Sequence, residues 1–396
     1  MVDRRDFLRL GAGTALGLAA SPALAQSDPR IRSYKTLGRT GLKISDISFG
    51  SASMSDPVVV RHALARGINY FDAAESYRFG SSEEAIGEAL KGKRNDVFLT
   101  SKTKAGAGDT RADMMKSLEG SLKRLRTDHV DVYFNHAVND VDRMKNPAWA
   151  EFTGLAKKQG KIRFRGMSGH GSHLTESLDY AIDNDLVDVI LVAYNFAQDP
   201  TFYDKLRHTF HYAAIQPDLP RVLEKAKKKD VGVIAMKTLM GARLNDMRPY
   251  ERKGSTFSQA AFRWVLSAPQ VDALLVSMNS KEEIDEYVAA SGTAKVSAVD
   301  MELLERYALL QGGRYCQSAC NDCGGSCPQN VAIAEVLRTR MYDVDYGDPL
   351  LARTEYAALG KPAEACLTCT TQSCLKACTK GIPIAEYTLD AALRLG

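Results

Sequence analysis

Between residues 46 and 280 the chain alternates short apolar runs with longer stretches in which apolar residues recur at helical spacing. The runs ISDISFGS, INYFDAAE, VFLTSKT, VDVYFNH, FRGMSGH, VDVILVAYN, GVIAMKT and ALLVSMN predict eight strands. The stretches SSEEAIGEALKG, ADMMKSLEGSLKRL, EFTGLAKKQG, LTESLDYAIDND, LPRVLEKAKKKD, SQAAFRWVLSA and KEEIDEYVAAS predict helices between and after them. Strands that read as nearly unbroken apolar runs are those buried on both faces, as in a parallel sheet covered by helices. Eight such alternations predict an α/β fold, a closed (β/α)8 TIM barrel over residues 33–300.

In that architecture chemistry gathers at the C-terminal ends of the strands. NYFDAAESY puts Asp72 at one strand end and Tyr77 in the following loop, FLTSK ends near Lys102, and VYFNH ends on His136. Taken singly, Asp72 reads as a helix cap, Lys102 as its rim partner, Tyr77 as packing and His136 as a satisfied core histidine. All four on one face of one barrel point instead to a site.

Hydrophobic periodicity stops mattering in the last 81 residues, where all eight cysteines lie. Cys316, Cys320, Cys323 and Cys327 form C-x3-C-x2-C-x3-C followed by Pro328, close to the run by which ferredoxins hold a 4Fe-4S cluster. Cys366, Cys369, Cys374 and Cys378 form C-x2-C-x4-C-x3-C. Ile, Ala and Glu stand six, seven and eight residues beyond both Cys327 and Cys378, so the two groups are an internal repeat. A small, mostly helical module over 312–396 holding two 4Fe-4S clusters is the expectation. Disulfides and two structural zinc sites are the alternatives. In two-cluster ferredoxins the cysteine that ends each run reaches the other cluster. The repeat therefore predicts crossed ligation, Cys316, Cys320 and Cys323 with Cys378, and Cys366, Cys369 and Cys374 with Cys327.

At the other end, VDRRDFLRLGAGTALGLAASPALAQ carries paired Arg4 and Arg5, a Phe-Leu pair, a mildly apolar stretch and an Ala23-Leu24-Ala25 triplet. It resembles a twin-arginine export signal over 1–25, which implies a periplasmic mature chain beginning near Gln26. Export of an already folded protein lets thiolates take up iron in the reducing cytosol. No stretch reaches the roughly 18 apolar residues of a spanning helix, so no membrane span is expected.

With 45% hydrophobic and 25% charged residues the chain is of ordinary globular composition, and a formal charge of +4 over 396 residues marks no polyanion partner. Lys225, Lys227, Lys228 and Lys229 read as the solvated end of a helix rather than a nucleic-acid face.

YKTLGRTGLKISDISFGSASM, GINYFDAAESYRFGSSEEAIGEAL, FLTSKT, RLRTDHVDVYFNH, GKIRFRGMSGHGS, YNF and GVIAMKTLMG together resemble the aldo-keto reductase family over residues 33 to about 290. The cysteine-rich segment resembles the extension of the iron-sulfur-containing members of that family. The resemblance implies a catalytic tetrad of Asp72, Tyr77, Lys102 and His136, with Tyr77 as acid–base. It implies nicotinamide contacts at Ser168 and Asn195 and a cofactor border at Lys237 and Ser277. The family's carboxamide-binding glutamine falls at Leu191, its stacking tyrosine at Met236, and its 2'-phosphate arginine is missing, with Asn279 and Lys281 nearby. The tetrad is thus intact and the NADP site eroded.

Three readings follow. The first is an exported oxidoreductase interconverting a small carbonyl and an alcohol, with two clusters. The second is an electron-transfer protein whose barrel is a binding scaffold and which meets a redox partner protein. The third is a reductase whose clusters only hold the C-terminal segment over the pocket. Trp149 and the insert FYDKLRHTFHYAAIQPDLP are candidates for the pocket wall.

Overall fold

A computed structural model describes residues 28–171, 173–198, 218–239, 247–252, 254–311, 316, 322–344, 348–360, 363–379 and 381–396. The export-signal segment and Cys320 lie outside the described residues, as does most of the 202–220 insert.

Two short strands, β1 (Tyr34–Thr36) and β2 (Lys43–Ser45), form an antiparallel hairpin. Eight parallel strands follow and close into a barrel in chain order: β3 (Ile47–Gly50), β4 (Tyr70–Asp72), β5 (Phe98–Thr103), β6 (Val130–Asn135), β7 (Ile162–Gly169), β8 (Val189–Ala193), β9 (Gly232–Met236) and β10 (Ala273–Ser277). They are the eight runs read from the sequence. Alternation along each strand decides which side chains enter the barrel. Tyr70, Val132, Phe134, Val189, Leu191, Ile234, Ala273 and Leu275 fill it together with Leu37, Leu42 and Ile44, with which the hairpin plugs the N-terminal end. Gly166 is fixed by this packing, because a Cβ there would stand 2.4 Å from the Phe134 ring.

Around the barrel run α1 (Pro57–Ala65), α2 (Ser81–Ala89), α3 (Arg111–Leu125), the short α4 (Asp142–Lys145), α5 (Pro147–Lys158), α6 (Leu174–Asp183), α7 (Leu219–Lys228), α8 (Phe257–Ser267) and α9 (Lys281–Val288), and then α10 (Ala298–Gln311). Reciprocal capping boxes start α3 at Thr110/Asp113 and α8 at Thr256/Gln259, each cap stabilising by about 1 kcal/mol. Helix α1 escaped the sequence reading because Val58-Val59-Val60 speaks for a strand. Its signal was Asp56, whose carboxylate accepts from the Val58 N–H, followed by Pro57 at the first helical position. The lysines ending α7 are not merely solvated. Lys225 bonds Asp179 and Asp183 on α6, and Lys227 bonds Asp272 before β10, each at 2.7 Å. Trp149 is fully buried against Phe152 on α5 and does not reach the pocket.

The C-terminal residues build a second core of their own from α11 (Ile333–Val344), α12 (Pro349–Ala357) and α13 (Ile384–Leu395), with two 3-10 turns, Ala363–Thr368 and Ser373–Lys376. The sequence repeat is a structural one. After Cys327 and after Cys378 the chain makes the same turn, Asn330 N–H to Cys327 O and Gly381 N–H to Cys378 O, with Asn330 and Gly381 both left-handed. Helices α11 and α13 then begin at the equivalent residues Ile333 and Ile384. Arg340 on α11 pairs with Asp390 on α13 at 2.6 Å, locking the two halves. Among the described residues no helix is long and apolar enough to cross a membrane.

Candidate active site at the barrel mouth

The last inward-facing residue of a strand is the one that meets the mouth. Parity therefore carries Asp72 from Tyr70, Lys102 from Thr100, His136 from Phe134, Ser168 from Gly166 and Ser277 from Leu275 to one end of the barrel. There a cavity of about 340 Å³ is lined by Asp72, Tyr77, Lys102, His136, Ser168, Lys237 and Ser277 among others.

Lys102 is fully buried and held from two sides, by Asp72 Oδ2 at 2.5 Å and by the Ala73 carbonyl at 2.8 Å. The other Asp72 oxygen accepts from Thr100 Oγ1 at 2.9 Å. Burial pushes the Asp72 carboxyl up and the Lys102 ammonium down, and their mutual attraction works against both shifts. The third donor direction of Lys102 reaches the Tyr77 hydroxyl at 3.3 Å, with the ammonium 4.6 Å from the ring centroid. Tyr77 sits in a turn beyond β4, its N–H on the Ala74 carbonyl. Burial and then the Asp72 charge push its phenol well above the ordinary value, so it keeps its proton at neutral pH. His136 stands edge-on to Tyr77 at 5.5 Å between centroids. Burial and then Lys102 push its pKa well down, which leaves a neutral imidazole, and Ser76 Oγ lies 3.5 Å from Nδ1.

The four cofactor candidates separate. Ser168, Lys237 and Ser277 line the cavity; Asn195 does not. Asn195 is buried, with Nδ2 on the Lys237 carbonyl at 3.2 Å and Oδ1 accepting from Ala197 N–H at 3.0 Å. Ser168 Oγ likewise accepts from Ala137 N–H at 3.0 Å. Leu191 and Met236 line the wall. On this wall a nicotinamide carboxamide would meet the apolar Leu191 and Met236 and the Ser168 hydroxyl, which accepts from backbone and keeps its own O–H to donate, while the Asn195 amide is turned to backbone.

Residues of this wall that were not singled out from the sequence include one more histidine and three polar residues of the C-terminal part. His170, two residues beyond Ser168, follows the same parity. Tyr342, Asp348 and Glu355 come from the C-terminal helices. Lys237, in a left-handed conformation just past β9, reaches the Tyr342 hydroxyl at 3.3 Å. Its ammonium lies 5.1 Å from the Tyr342 ring centroid. Burial, then the charge of Arg338, lowers the Lys237 pKa to about 8. Glu355 binds Lys104 at 2.7 Å, and Glu335 accepts from Asn139 at 2.9 Å, so the C-terminal module is latched across the mouth and supplies one wall of the cavity.

Among the described residues no two cysteines are joined in a disulfide. Among the described residues no three His, Cys, Asp or Glu side chains converge as ligands of a single ion would. The two cysteine groups nonetheless interleave. Ser373, next to Cys374, donates to the carbonyl of Ser326, next to Cys327, at 2.8 Å. Thr379, next to Cys378, bonds Asp322, next to Cys323. Burial and then Cys378 raise the Cys323 thiol pKa. Burial raises Cys366 and Cys374 in turn, and Cys327 adds to both. Each closing cysteine thus neighbours the other group.

Similarity to known proteins follows the barrel. L-galactose dehydrogenase of Arabidopsis thaliana is 28% identical over 308 residues, 68% of this chain and 91% of that protein. L-glyceraldehyde 3-phosphate reductase of Escherichia coli O157:H7 is 23% identical over 321 residues, 69% of this chain and 92% of that protein. Among solved structures, the thermostable aldo-keto reductase Tm1743, crystallised with the inhibitor epalrestat, matches with TM-score 0.52 and 27% identity over 69% of this chain and 99% of that one. The sequence model of the Aldo/keto reductase family matches residues 49–255, just over half of the chain. With its closed eight-stranded barrel and a named set of oxidoreductase relatives, the chain belongs to the aldo/keto reductase family and is an oxidoreductase of that type.

Proposed function

We propose that the chain interconverts a small carbonyl compound and its alcohol at the barrel mouth, with Tyr77 as the acid–base residue. The observation that carries this is the Tyr77 hydroxyl 3.3 Å from a buried Lys102 in the cavity that His136 also lines. A carbonyl that gains hydride develops alkoxide charge and needs a proton. Tyr77 still holds its proton at neutral pH and gives it up only to a base as strong as that alkoxide. The phenolate left behind is stabilised by Lys102, which Asp72 and the Ala73 carbonyl hold in place. A neutral His136 donates one N–H to the substrate oxygen and so orients it before proton transfer. A nicotinamide coenzyme would supply hydride when bound. The work of Tyr77, Lys102 and His136 is the same for any two-electron donor that reaches the carbonyl carbon.

The test is Tyr77→Phe in the purified holoprotein against a panel of carbonyls and alcohols. A fall of about 100-fold or more is expected, the usual range for losing a general acid, with the visible absorbance unchanged. Full activity would hand the lead to the second reading, an electron-transfer protein with the barrel as scaffold. That reading draws on the engaged Ser168 and Asn195 and the apolar Leu191. Identifying the nucleotide released on denaturation separates the two, since bound NADP supports the reductase.

We further propose that the C-terminal module holds two 4Fe-4S clusters in crossed fashion, that a redox partner protein exchanges electrons with them, and that Arg4 and Arg5 direct export to the periplasm. The interleaving of Cys374 with Cys327 and of Cys378 with Cys323 supports crossing. Thiolates on a four-iron cluster each bind a different iron, so they stand further apart than the ligands of one ion. The spacing of the two cysteine runs and their interleaving are what support that donor set.

A further inference from the structure

Across the barrel mouth from the tetrad stands a second set of polar groups that the proton transfer does not use. In the closed ring β9 is the strand opposite β5, four steps away through β6, β7 and β8 or through β4, β3 and β10. Lys102 lies on β5 and Lys237 just past β9, and both line the cavity. Their surroundings differ. Lys102 is paired with Asp72 at 2.5 Å. The Lys237 ammonium donates to the Tyr342 hydroxyl at 3.3 Å, and among the described residues no carboxylate comes within ion-pair distance of it. An ammonium partly withdrawn from water with only a neutral partner is costly, and such charges are normally matched by an anion. Two further groups on the cavity wall are unsatisfied. Thr238 is 1% exposed and its hydroxyl has no partner among the described residues, and His170 Nδ1 has none either. Burial, then the Lys237 charge, pushes the His170 pKa well down, so its imidazole is neutral and has one N–H to present. Asn195 Nδ2, on the Lys237 carbonyl at 3.2 Å, holds the left-handed backbone from which the lysine projects. Unsatisfied buried groups of this kind in a native fold point to a missing partner.

We propose that Lys237, Thr238 and His170 bind a carboxylate of the substrate, so that the compound turned over is an oxo acid or the matching hydroxy acid. The inference rests on the carbonyl–alcohol reading of the site. The ammonium and the two neutral groups all offer N–H or O–H to an anion. One positive charge matches a monoanion. A phosphate dianion fits less well, since Asp348 and Glu355 line the same cavity. With the carbonyl at Tyr77 and His136 and the carboxylate at Lys237, the molecule lies across the mouth, its two functional groups set apart by intervening carbon atoms. The C-terminal module then takes part in recognising the acid, because the Tyr342 hydroxyl on α11 steadies the ammonium.

Calorimetric titration of the full-length holoprotein reads acid recognition without turnover. The probes are straight-chain oxo acids of increasing length, each against its primary amide, which keeps the shape and drops the charge. Wild type should bind the best acid at least about 10-fold more tightly than its amide, the lower end of what hydrogen bonds to a charged group contribute. Lys237→Met should erase that preference, and Lys237→Arg should keep most of it. Thr238→Val, which keeps the shape and drops the hydroxyl, should reduce it by about 2- to 10-fold. This variant decides the matter if Lys237→Met does not fold. No preference for acid over amide in wild type, or a preference that survives Lys237→Met, would overturn the proposal. So would a Lys237→Met protein that loses affinity for NADP alone, since the lysine would then serve a coenzyme phosphate. Tyr77→Phe separates the subsite from the reaction. It should retain the acid preference in binding, whereas full turnover in that variant would defeat the carbonyl–alcohol reading and leave the binding result standing.

Discussion

Replacing Lys102 by Met tests the electrostatic heart of the site as a matter of stability, without any substrate. Met has nearly the length and volume of the lysine stem, so little packing is lost. The ammonium disappears from 2.5 Å beside Asp72, and the carboxylate keeps only the Thr100 hydroxyl. Both partners are 1% exposed, so water cannot take over. Removing one member of a buried pair and stranding the other costs about 3–5 kcal/mol, whereas replacing both by neutral groups is often nearly neutral. Urea unfolding at pH 7 should therefore show a loss of about 3–5 kcal/mol for Lys102→Met, most of it recovered in Asp72→Asn/Lys102→Met.

The pH dependence has a definite sign. Burial already raises the folded-state pKa of Asp72, and without Lys102 it rises further. A carboxyl whose folded pKa exceeds its unfolded one takes up its proton first in the folded state. The variant's deficit is then complete above that folded pKa and shrinks as pH falls through it. A loss under about 1 kcal/mol at pH 7, or a double variant no better than the single, would refute the claim that Lys102 is present to neutralise a buried carboxylate.

Lys237, with a pKa of about 8 when folded and 10.5 ordinarily, releases its proton earlier in the folded state, so wild-type stability should gain between those pH values relative to Lys237→Met; parallel curves for the two proteins would contradict its burial. Replacing Arg4 and Arg5 by Lys should leave folded precursor in the cytosol on cell fractionation, and unaffected export would remove the twin-arginine reading. Iron should approach eight per chain, and Cys327→Ser should alter the spectroscopic signal of the cluster bound by Cys366, Cys369 and Cys374. Selective loss of the first group's signal would mean local ligation.

The barrel was legible because its strands are buried on both faces, so ISFG, VDVYFN and VILVA stand out against amphipathic helices. The tetrad was legible for a related reason. Strand parity forces the inward residue at a strand's end to the mouth, so Asp72, Lys102 and His136 needed no tertiary information. His170 obeys the same rule and could have been found by counting two residues on from Ser168. Asn195, two residues past the end of β8, shows how far the rule reaches, for its amide turns to backbone and it does not line the cavity. Tyr342, Asp348 and Glu355 could not be read at all. They belong to helices whose approach to the barrel depends on how a separate core docks, and docking leaves no periodicity in the chain.

That docking changes what the two halves can mean to one another. The cavity is not a barrel feature to which a cysteine module is appended, since Tyr342 and Glu355 form part of its wall, Lys237 and Lys104 hold them there, and Asn139 ties down Glu335 on the same helix as Tyr342. Helix α11 starts six residues after Cys327, runs through the core that also holds Cys316, and puts Tyr342 on the cavity one turn after Arg338. At 1.5 Å per residue, four residues are about 6 Å of helix. Whatever fixes the first cysteine group therefore also fixes the wall against which a substrate would lie, even if no electron passes between them. Carbonyl reduction moves an electron pair whereas a 4Fe-4S cluster moves one electron, so if the proposed clusters are present, holding that wall is the contribution open to them without an intermediary. The proposed exchange of electrons with a partner is compatible with it, because Leu367 and Leu375 beside the second cysteine group are exposed.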